Sequence, residues 1–361
     1  MNNIISRQFC VLCENSLLKE FTNFDLPFYT INHEGVINSN WNIKYGYCED
    51  CFSVQLMNLL DPEILYDKNY IQPNFLLYSW VQHNISFINF IIGCIDINEP
   101  LIEIGSSSFV IGKHLIDYYN DYTVFDYKLD QAVRRNYVKY IEGNCESYDF
   151  PINSNIIMSH VFEHLYEPKK FISNCKKSGV KNIIIAIPDM SKLEEMHVFS
   201  LHTFLYNDKD IEYIFGKNKY KLVKKYFFNS KDESFPVLFF HFELTENIVI
   251  IDYRNINKHR HLYMQNLLKP FNVPSNTYIT SAGMLSSCIY ALIENKGNIV
   301  GVIDKNKTLH GKQFANSNLI INSYEHLKDL KDANIIVCHY RKNDIIKCIR
   351  EYNTNINIIE L

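Results

Sequence analysis

Four cysteines near the N-terminus have a spacing that suits metal chemistry. Cys10 and Cys13 form one C-x-x-C pair, and Cys48 and Cys51 form a second. Each pair can place two thiolates on one side of a metal, and two pairs complete the tetrahedral four-thiolate site that structural zinc prefers. Because four thiolates leave no open position, we expect a structural ion that stabilises a small domain with little core of its own. Two disulfides, or four free thiols, are the alternatives.

A second group of residues suits the binding of a nucleoside. Leu101–Ile104 reads as a short strand, Gly105–Ser108 as a turn of small residues, and Tyr122–Phe125, after a helical pattern, as a second strand that ends at Asp126. This is one β-turn-α-β unit of a parallel sheet, in which ligands lie at the carboxyl ends of the strands. The carboxylate of Asp126 could accept hydrogen bonds from ribose hydroxyls. An ordinary α/β turn with a surface aspartate is the alternative.

The same stretch resembles motif I and the next acidic motif of class I S-adenosylmethionine (SAM) methyltransferases. It has Glu-x-Gly and small residues, but it lacks the G-x-G-x-x-G of a dinucleotide fold, so we expect no pyrophosphate cradle. Two positions depart from the family, since Ser107 and Phe109 stand where glycines are usual. The resemblance implies SAM contacts from Glu103, Gly105, Ser107, Asp126, Tyr127, Asn144 and His160. Cys145 is the alternative to Asn144 beside the adenine.

A second match follows the predicted strand Asn155–Ser159. The run from His160 to Pro168 closely resembles the segment after strand four in many SAM methyltransferases. By this resemblance His164 handles a proton or positions the substrate, and His160 lines the cofactor pocket. The two histidines are one helical turn apart and could suit a metal. No third ligand at a recognised spacing accompanies them, so we predict no metal there.

Two further stretches resemble sugar C-methyltransferases. Val54–Leu56, Asp61–Leu65 and Asn69-Tyr70 follow the second cysteine pair as they do in the zinc-binding module of that family. The resemblance implies that Tyr70 reaches the active site, and a packing tyrosine at a domain seam is the alternative.

The second of these stretches begins at His202 and ends at Asn207, and it resembles the run whose histidine is the general base. Leu201 replaces the family glutamate that would orient the imidazole, and His197 is the competing candidate.

The C-terminal part of the chain has a second α/β pattern. Thr277–Thr280 and Ile299–Ile303 read as strands, with a turn at Ser281-Ala282-Gly283 and a helix from Met284 to Ile293. It resembles the C-terminal domain of the same sugar C-methyltransferases. A lone glycine turn is weak evidence for a second cofactor, so NAD is not predicted. The basic stretch Asp252–Phe271 is either a surface helix or a contact for a nucleotide diphosphate.

Length and composition set the remaining bounds. At 361 residues the chain should form two or three domains, and the resemblances imply an α/β protein of three. These are a zinc-binding domain (1–75), a class I SAM methyltransferase (Rossmann-like) domain (76–246) and a Rossmann-like α/β domain (247–361). The net charge of −4 and the lack of a basic run argue against nucleic acid as a partner. No apolar stretch reaches the roughly 20 residues of a membrane span, and the N-terminus does not resemble a signal peptide. We therefore expect a cytoplasmic monomer or small homo-oligomer with reduced cysteines.

Taken together, the resemblances predict a SAM-dependent methyltransferase acting on a nucleotide-linked keto-sugar in carbohydrate biosynthesis. The favoured reaction is C-methylation through an enolate, with His202 as the base and Tyr70 and His164 at the enolate oxygen. O- or N-methylation of a sugar or small metabolite on the same scaffold is the first alternative. A non-catalytic scaffold with a decayed SAM site is the second.

Overall fold

The computed structural model describes residues 4–13, 16–27, 40–65, 78–106, 109–127, 139–191, 202–230, 236–249, 260–315, 317–338 and 342–359. Structural statements below concern these residues.

The N-terminal module is built of short antiparallel strands. Its elements are β1 (Ile4–Ser6), β2 (Leu18–Pro27), β3 (Asn40–Cys48), β4 (Val54–Leu56), β5 (Asn58–Leu60) and the helix α1 (Pro62–Leu65). The strands β2, β3 and β4 pair side by side, and β1 pairs with β5. A core centred on Trp41, Ile43 and Tyr45 is buried beneath them.

The middle domain alternates strands and helices around one large sheet. Its elements are α2 (Tyr78–Ile92), β6 (Leu101–Ile104), α3 (Gly112–Leu115), β7 (Tyr122–Asp126), β8 (Lys139–Glu142), β9 (Asn155–Ser159), α4 (Pro168–Lys177), β10 (Asn182–Pro188), β11 (Phe204–Leu205), α5 (Asp208–Lys217), β12 (Tyr220–Phe228) and β13 (Val237–Leu244). Short 3-10 turns cover Cys145–Ser147 and Phe162–His164.

The order of the strands defines the fold of this domain. The seven-stranded sheet runs β12-β13-β10-β9-β6-β7-β8. From β10 to β8 the neighbours are parallel, whereas β13 is antiparallel to both β10 and β12. The sequence-adjacent strands β7 and β8 lie to one side of β6, and β9 and β10 lie to the other, so the order reverses beside β6. This doubly wound arrangement confirms the predicted Rossmann-like core of a class I methyltransferase.

Burial follows the apolar pattern of the sequence with one exception. All four residues of β6 are buried, and Phe87 and Ile91 of α2 are inaccessible to solvent. The apolar periodicity of residues 77–94 predicts a helix with Ile85 among its buried residues, but Ile85 lies on the opposite face of α2 and is 56% exposed. The helical pattern before Tyr122 forms only a single turn, α3. Among the described residues, no helix combines the length and the apolarity that crossing a membrane requires.

The C-terminal domain carries a second parallel sheet. Its elements are α6 (Arg260–Leu267), β14 (Thr277–Thr280), α7 (Met284–Leu292), β15 (Ile299–Ile303), β16 (Ile321–Asn322), β17 (Asn334–Ile336), α8 (Lys342–Tyr352) and β18 (Asn357–Ile359), with 3-10 turns at Lys296–Asn298, Lys307–Leu309 and Tyr324–Asp329. The order is β16-β15-β14-β17-β18, and every pair is parallel. This is the predicted second Rossmann-like unit.

One strand pairing joins the N-terminal module to the middle domain. The strand β11 is antiparallel to β4, with Phe204 opposite Gln55 and Leu205 opposite Val54. The sheet of the N-terminal module therefore has the order β11-β4-β3-β2 and includes a strand from residues far along the chain.

Candidate active site

The carboxyl ends of the parallel strands are tied together by main-chain hydrogen bonds. The amide of Gly105 donates to the carbonyl of Phe125 over 2.9 Å, and the amide of Gly143 donates to that of Asp126 over 3.0 Å. On the other side, the amide of His160 donates to Ala186 over 2.8 Å. The carboxyl ends of β6, β7, β8 and β9 thus share one edge of the sheet, where ligands of such sheets bind.

The turn after β6 requires a glycine at its first position. Gly105 has a φ of +73°, which side-chain-bearing residues rarely adopt. A Cβ there would lie only 2.2 Å from Cγ2 of Val161. The close approach of these two turns explains the glycine of the Glu-x-Gly motif.

Glu103, predicted to contact SAM, lies under that turn. Its side chain is buried, and the hydroxyl of Tyr122 donates to Oε2 over 2.5 Å. Burial raises the pKa of Glu103 to about 7. A Cβ on Gly112 would approach Oε2 to 2.7 Å, so the carboxylate lies directly against the start of α3.

The other predicted SAM contacts are distributed around the same edge. Asp126 is half-buried at the end of β7, where Oδ1 accepts a 2.7 Å hydrogen bond from the amide of Tyr127. Burial raises the pKa of Tyr127 above its usual range. Asn144 caps the 3-10 turn Cys145–Ser147, because its Oδ1 accepts from the amide of Glu146 over 2.8 Å. Ser107 lies outside the described residues.

His160 faces the interior behind the edge. Its φ is +54°, and its ring lies 5.0 Å from those of Trp80 and His83, both on α2. Burial lowers the pKa of His160 to about 3, so the imidazole is neutral near pH 7. Its Nδ1 lies 3.3 Å from Oε1 of Glu163.

His164 and His202 come together, although they are distant in sequence. Their ring centroids are 5.1 Å apart at an interplanar angle of 53°. Each of Glu163, His164 and His202 offers a side-chain oxygen or nitrogen, and these three atoms lie within 4.8 Å of one another. The sequence spacing indicated that His164 could face His160, whereas in the structure the ring of His164 lies beside the ring of His202. Glu163 was not predicted as a site residue. The only indication of such a role in the sequence was its position between His160 and His164.

Hydrogen bonds from both neighbouring segments fix the main chain beside His202. The amide of Thr203 donates to the carbonyl of Glu163 over 2.9 Å. The carbonyl of Thr203 accepts from the amide of Leu56, over 3.0 Å, and from the buried guanidinium of Arg7. Burial lowers the pKa of Arg7 to about 10, which leaves it charged near neutrality. The N-terminal module therefore holds the segment that carries His202.

Further sequence positions, besides Ser107, cannot be placed. Tyr70, Leu201 and His197 also lie outside the described residues. Their predicted roles stay predictions.

The four N-terminal cysteines form one compact cluster whose geometry fits zinc. The Sγ atoms of Cys10 and Cys51 are 3.6 Å apart, and those of Cys13 and Cys48 are 3.9 Å apart. A tetrahedron with Zn–S bonds of about 2.3 Å has edges of about 3.8 Å, whereas a disulfide is about 2.0 Å. The amides of Leu12 and Cys13 each donate to Cys10 Sγ over 3.3 Å, as suits a thiolate ligand.

Gln55 connects this cluster with β11. Its Nε2 donates to Cys10 Sγ over 3.0 Å, and the same residue lies opposite Phe204 in the strand pair. The cysteine cluster is thus separated from the histidines by the single strand pair β4–β11.

Of the basic stretch 252–271, the structure describes residues 260–271. Arg260 begins α6, and its Nη2 donates to the carbonyls of Met190, over 2.6 Å, and Tyr206, over 3.0 Å. Leu262 and Tyr263 on the same helix are exposed, as the surface-helix alternative expects.

Comparisons with known proteins reach only distant structures. No family model matches the sequence, and no curated protein matches it. Magnesium protoporphyrin IX methyltransferase from Synechocystis PCC 6803, with bound S-adenosylhomocysteine, is similar at 12% identity and a TM-score of 0.40, over 48% of this chain and 89% of that one. The 1,6-didemethyltoxoflavin-N1-methyltransferase of Burkholderia thailandensis is similar at 7% identity and a TM-score of 0.38, over 46% and 78%. A SAM-dependent methyltransferase from Leishmania major is similar at 15% identity and a TM-score of 0.38, over 45% and 71%.

The fold assignment rests on the strand order described above, which is independent of these similarities.

Proposed function

We propose that this protein is a SAM-dependent methyltransferase that methylates a carbon of a nucleotide-linked keto-sugar. The observation that carries the proposal is the position of the cluster Glu163, His164 and His202. It begins directly after β9, at the sheet edge that also holds the Gly105 turn and Asp126. A methyl donor held by that turn would lie beside a pair of imidazoles, which can move protons near pH 7.

The residues present suit SAM. The glycine turn allows close approach of a ligand, and Asp126 is placed to accept hydrogen bonds from ribose hydroxyls. When bound, SAM supplies an electrophilic methyl group on a positively charged sulfur.

The chain's own part in the reaction is to position the substrate and to take a proton. His202, as a neutral imidazole, accepts the acidic C–H proton beside the ketone, and His164 donates a hydrogen bond to the enolate oxygen. The electron pair of that C–H bond would then form the new bond from carbon to methyl, while the methyl–sulfur bond of bound SAM would break and leave its electron pair on sulfur as a neutral thioether. Holding the reacting atoms in line is worth about 7–11 kcal/mol when the geometry is good.

The sugar substrate is supported by the resemblance of all three parts of the chain, in order, to sugar C-methyltransferases. The zinc ion would serve the N-terminal fold, because the four thiolates of its cluster leave no position open for a substrate.

O- or N-methylation of a sugar or small metabolite is the second candidate. Leu201 stands where the family has a glutamate beside the base, and a hydroxyl nucleophile needs less help from a base than a C–H bond does. A non-catalytic scaffold would keep the fold and bind no SAM.

Two measurements test the proposal. Titration calorimetry with SAM should give saturable binding, and a chain that binds no SAM would support the scaffold. Incubation with SAM and a panel of nucleotide-linked keto-sugars should then give a product 14 mass units heavier, whose NMR spectrum shows the methyl on carbon. A methyl on oxygen or nitrogen would instead establish the second candidate.

A further inference from the structure

Glu163 is a buried carboxylate that the mechanism above does not use. Its side chain is inaccessible to solvent. Among the described residues, neither of its carboxylate oxygens makes a hydrogen bond of good geometry, although Oε1 lies 3.3 Å from Nδ1 of His160. Leaving such a group buried and unsatisfied costs about 1–3 kcal/mol or more, so its retention calls for an explanation.

The side chains around this carboxyl are three histidines and a tyrosine, each of which can carry a proton. His160 Nδ1 lies 3.3 Å from Oε1, and one nitrogen each of His164 and His202 lies within 4.8 Å of a carboxylate oxygen. Tyr206 is buried close enough for Glu163 to raise the pKa of its phenol further, after burial itself. Burial also raises the pKa of Glu163 to about 7. The carboxyl can therefore either give or take a hydrogen bond near neutrality.

The main chain holds Glu163 in register with His202. The carbonyl of Glu163 accepts from the amide of Thr203, which follows His202 directly. The carboxyl and the imidazole thus belong to segments joined at this point, and their separation does not depend on a long loop.

A metal site is the competing interpretation of the same three side chains. An ion would need all three donors at about 2.0–2.2 Å, with the carboxyl ionised. Here one oxygen already contacts His160, and burial favours the neutral carboxyl. The arrangement suits a hydrogen-bonding partner of imidazoles better than a ligand set.

We propose that Glu163 is a positioning residue, whose carboxyl fixes the tautomer and the orientation of the His202 imidazole, with His164 beside it. When one ring nitrogen bonds to a carboxyl group, the other is left to face the substrate. This role deepens the proposed function and rests on it. It also places an acidic partner beside His202 although position 201 is leucine.

The direct test needs neither SAM nor substrate. In protein labelled with ¹⁵N-histidine, the His202 ring signals are assigned by their loss in His202→Asn. We expect one dominant tautomer in the wild type and a mixture in Glu163→Gln. Glu212→Gln is the matched control, since Glu212 on α5 is also buried but is paired with Lys209 and Lys225. Equal tautomer populations in the wild type and Glu163→Gln would overturn the inference.

The kinetic test separates positioning from general support of the fold. Glu163→Gln should lower kcat about 10–100-fold with the KM for SAM unchanged, and Glu163→Asp should recover part of the loss. A rise in the KM for SAM at unchanged kcat would contradict positioning.

Metal analysis of the same variants distinguishes the remaining outcome. A metal beyond one zinc per chain that disappears in Glu163→Gln would replace the positioning role by a ligand role. Failure of SAM to bind would overturn the proposed function alone, since the tautomer measurement would still decide the role of Glu163.

Discussion

The amide of Leu56, the last residue of β4, donates to the carbonyl of Thr203 over 3.0 Å. Leu56 belongs to the strand that also carries Gln55, which contacts Cys10 Sγ. Thr203 follows His202. A single strand pair therefore connects the four clustered cysteines with the segment that carries the proposed base.

The first prediction concerns zinc. Elemental analysis should find one zinc per chain, and Cys48→Ser should abolish its retention, because three thiolates bind more weakly than four. The loss should loosen β2–β5 and lower methyl transfer through the displaced His202 segment, while SAM affinity stays near wild type. Cys94→Ser, which changes a half-buried thiol outside the cluster, is the control. Protein purified without chelator and free of zinc would contradict the prediction.

The second prediction concerns Asp126. Asp126→Ala should weaken SAM binding by roughly 10–150-fold, since a charge-assisted hydrogen bond to a ribose hydroxyl is worth about 1.5–3 kcal/mol. Calorimetry measures this directly. Asp121→Ala, which removes an exposed carboxylate paired with Lys139 just before the same strand, should change the affinity little. Equal affinities in Asp126→Ala and the wild type would show that the cofactor edge is misassigned.

The third prediction concerns Gly105. Gly105→Ala should lower the thermal midpoint of the middle domain by roughly 5 °C or more, because φ of +73° and the 2.2 Å approach to Val161 both oppose a Cβ. Gly297→Ala is a matched control, since its Cβ would meet nothing within 4 Å. Scanning calorimetry of the two variants should therefore show a clear difference. Equal midpoints would mean that the turn can relax.

The fourth prediction concerns pH and stability. Burial lowers the pKa of His83 well below its ordinary value of 6.5, so the folded state favours the neutral ring. Its contribution is fully present above about pH 6.5 and is lost as the pH falls, at up to about 1.4 kcal/mol per unit. His83→Phe should therefore flatten the dependence of the free energy of unfolding between pH 6.5 and 4, measured by urea titration.

The wild-type chain provides the comparison for this pH effect. An unchanged slope in His83→Phe would show that the ring titrates normally in the folded protein.

The fifth prediction concerns His202. His202→Asn should lower product formation by about 10²–10⁴-fold and leave SAM affinity near wild type, as expected for a general base on the substrate side. It should also stop solvent deuterium from entering the substrate beside the ketone. His197→Asn is the control, because the two histidines compete in the sequence comparison. A His202→Asn enzyme that keeps more than about a hundredth of its rate would favour O-methylation.

Local patterns in the sequence predicted the parallel strands well. β6, β9, β14 and β15 have the predicted bounds, because short apolar runs between turn residues describe buried strands. β12 was missed, since the lysines at positions 221, 224 and 225 hide its pattern and most of its side chains are exposed. An edge strand that packs little gives a weak hydrophobic signal.

The site was predicted where its members are close in the chain. The C-x-x-C spacing predicted a cluster, and the cysteines indeed meet. The pairing of His164 with His202, and the carboxyl of Glu163 beside them, depend on how β11 adds to β4. Such a pairing across distant residues leaves no periodic trace in the sequence.

The pairing of β11 with β4 also affects the order in which the protein can form during translation. Gln55 leaves the ribosome about 150 residues before its partner Phe204. At synthesis rates of about 5–20 residues per second, that interval is roughly 8–30 s. Throughout it, β4 is an open edge that can recruit another nascent chain. Zinc binding early in synthesis would keep the two C-x-x-C turns folded during this interval. Zinc shortage during synthesis should therefore increase aggregation, even when the finished protein retains zinc.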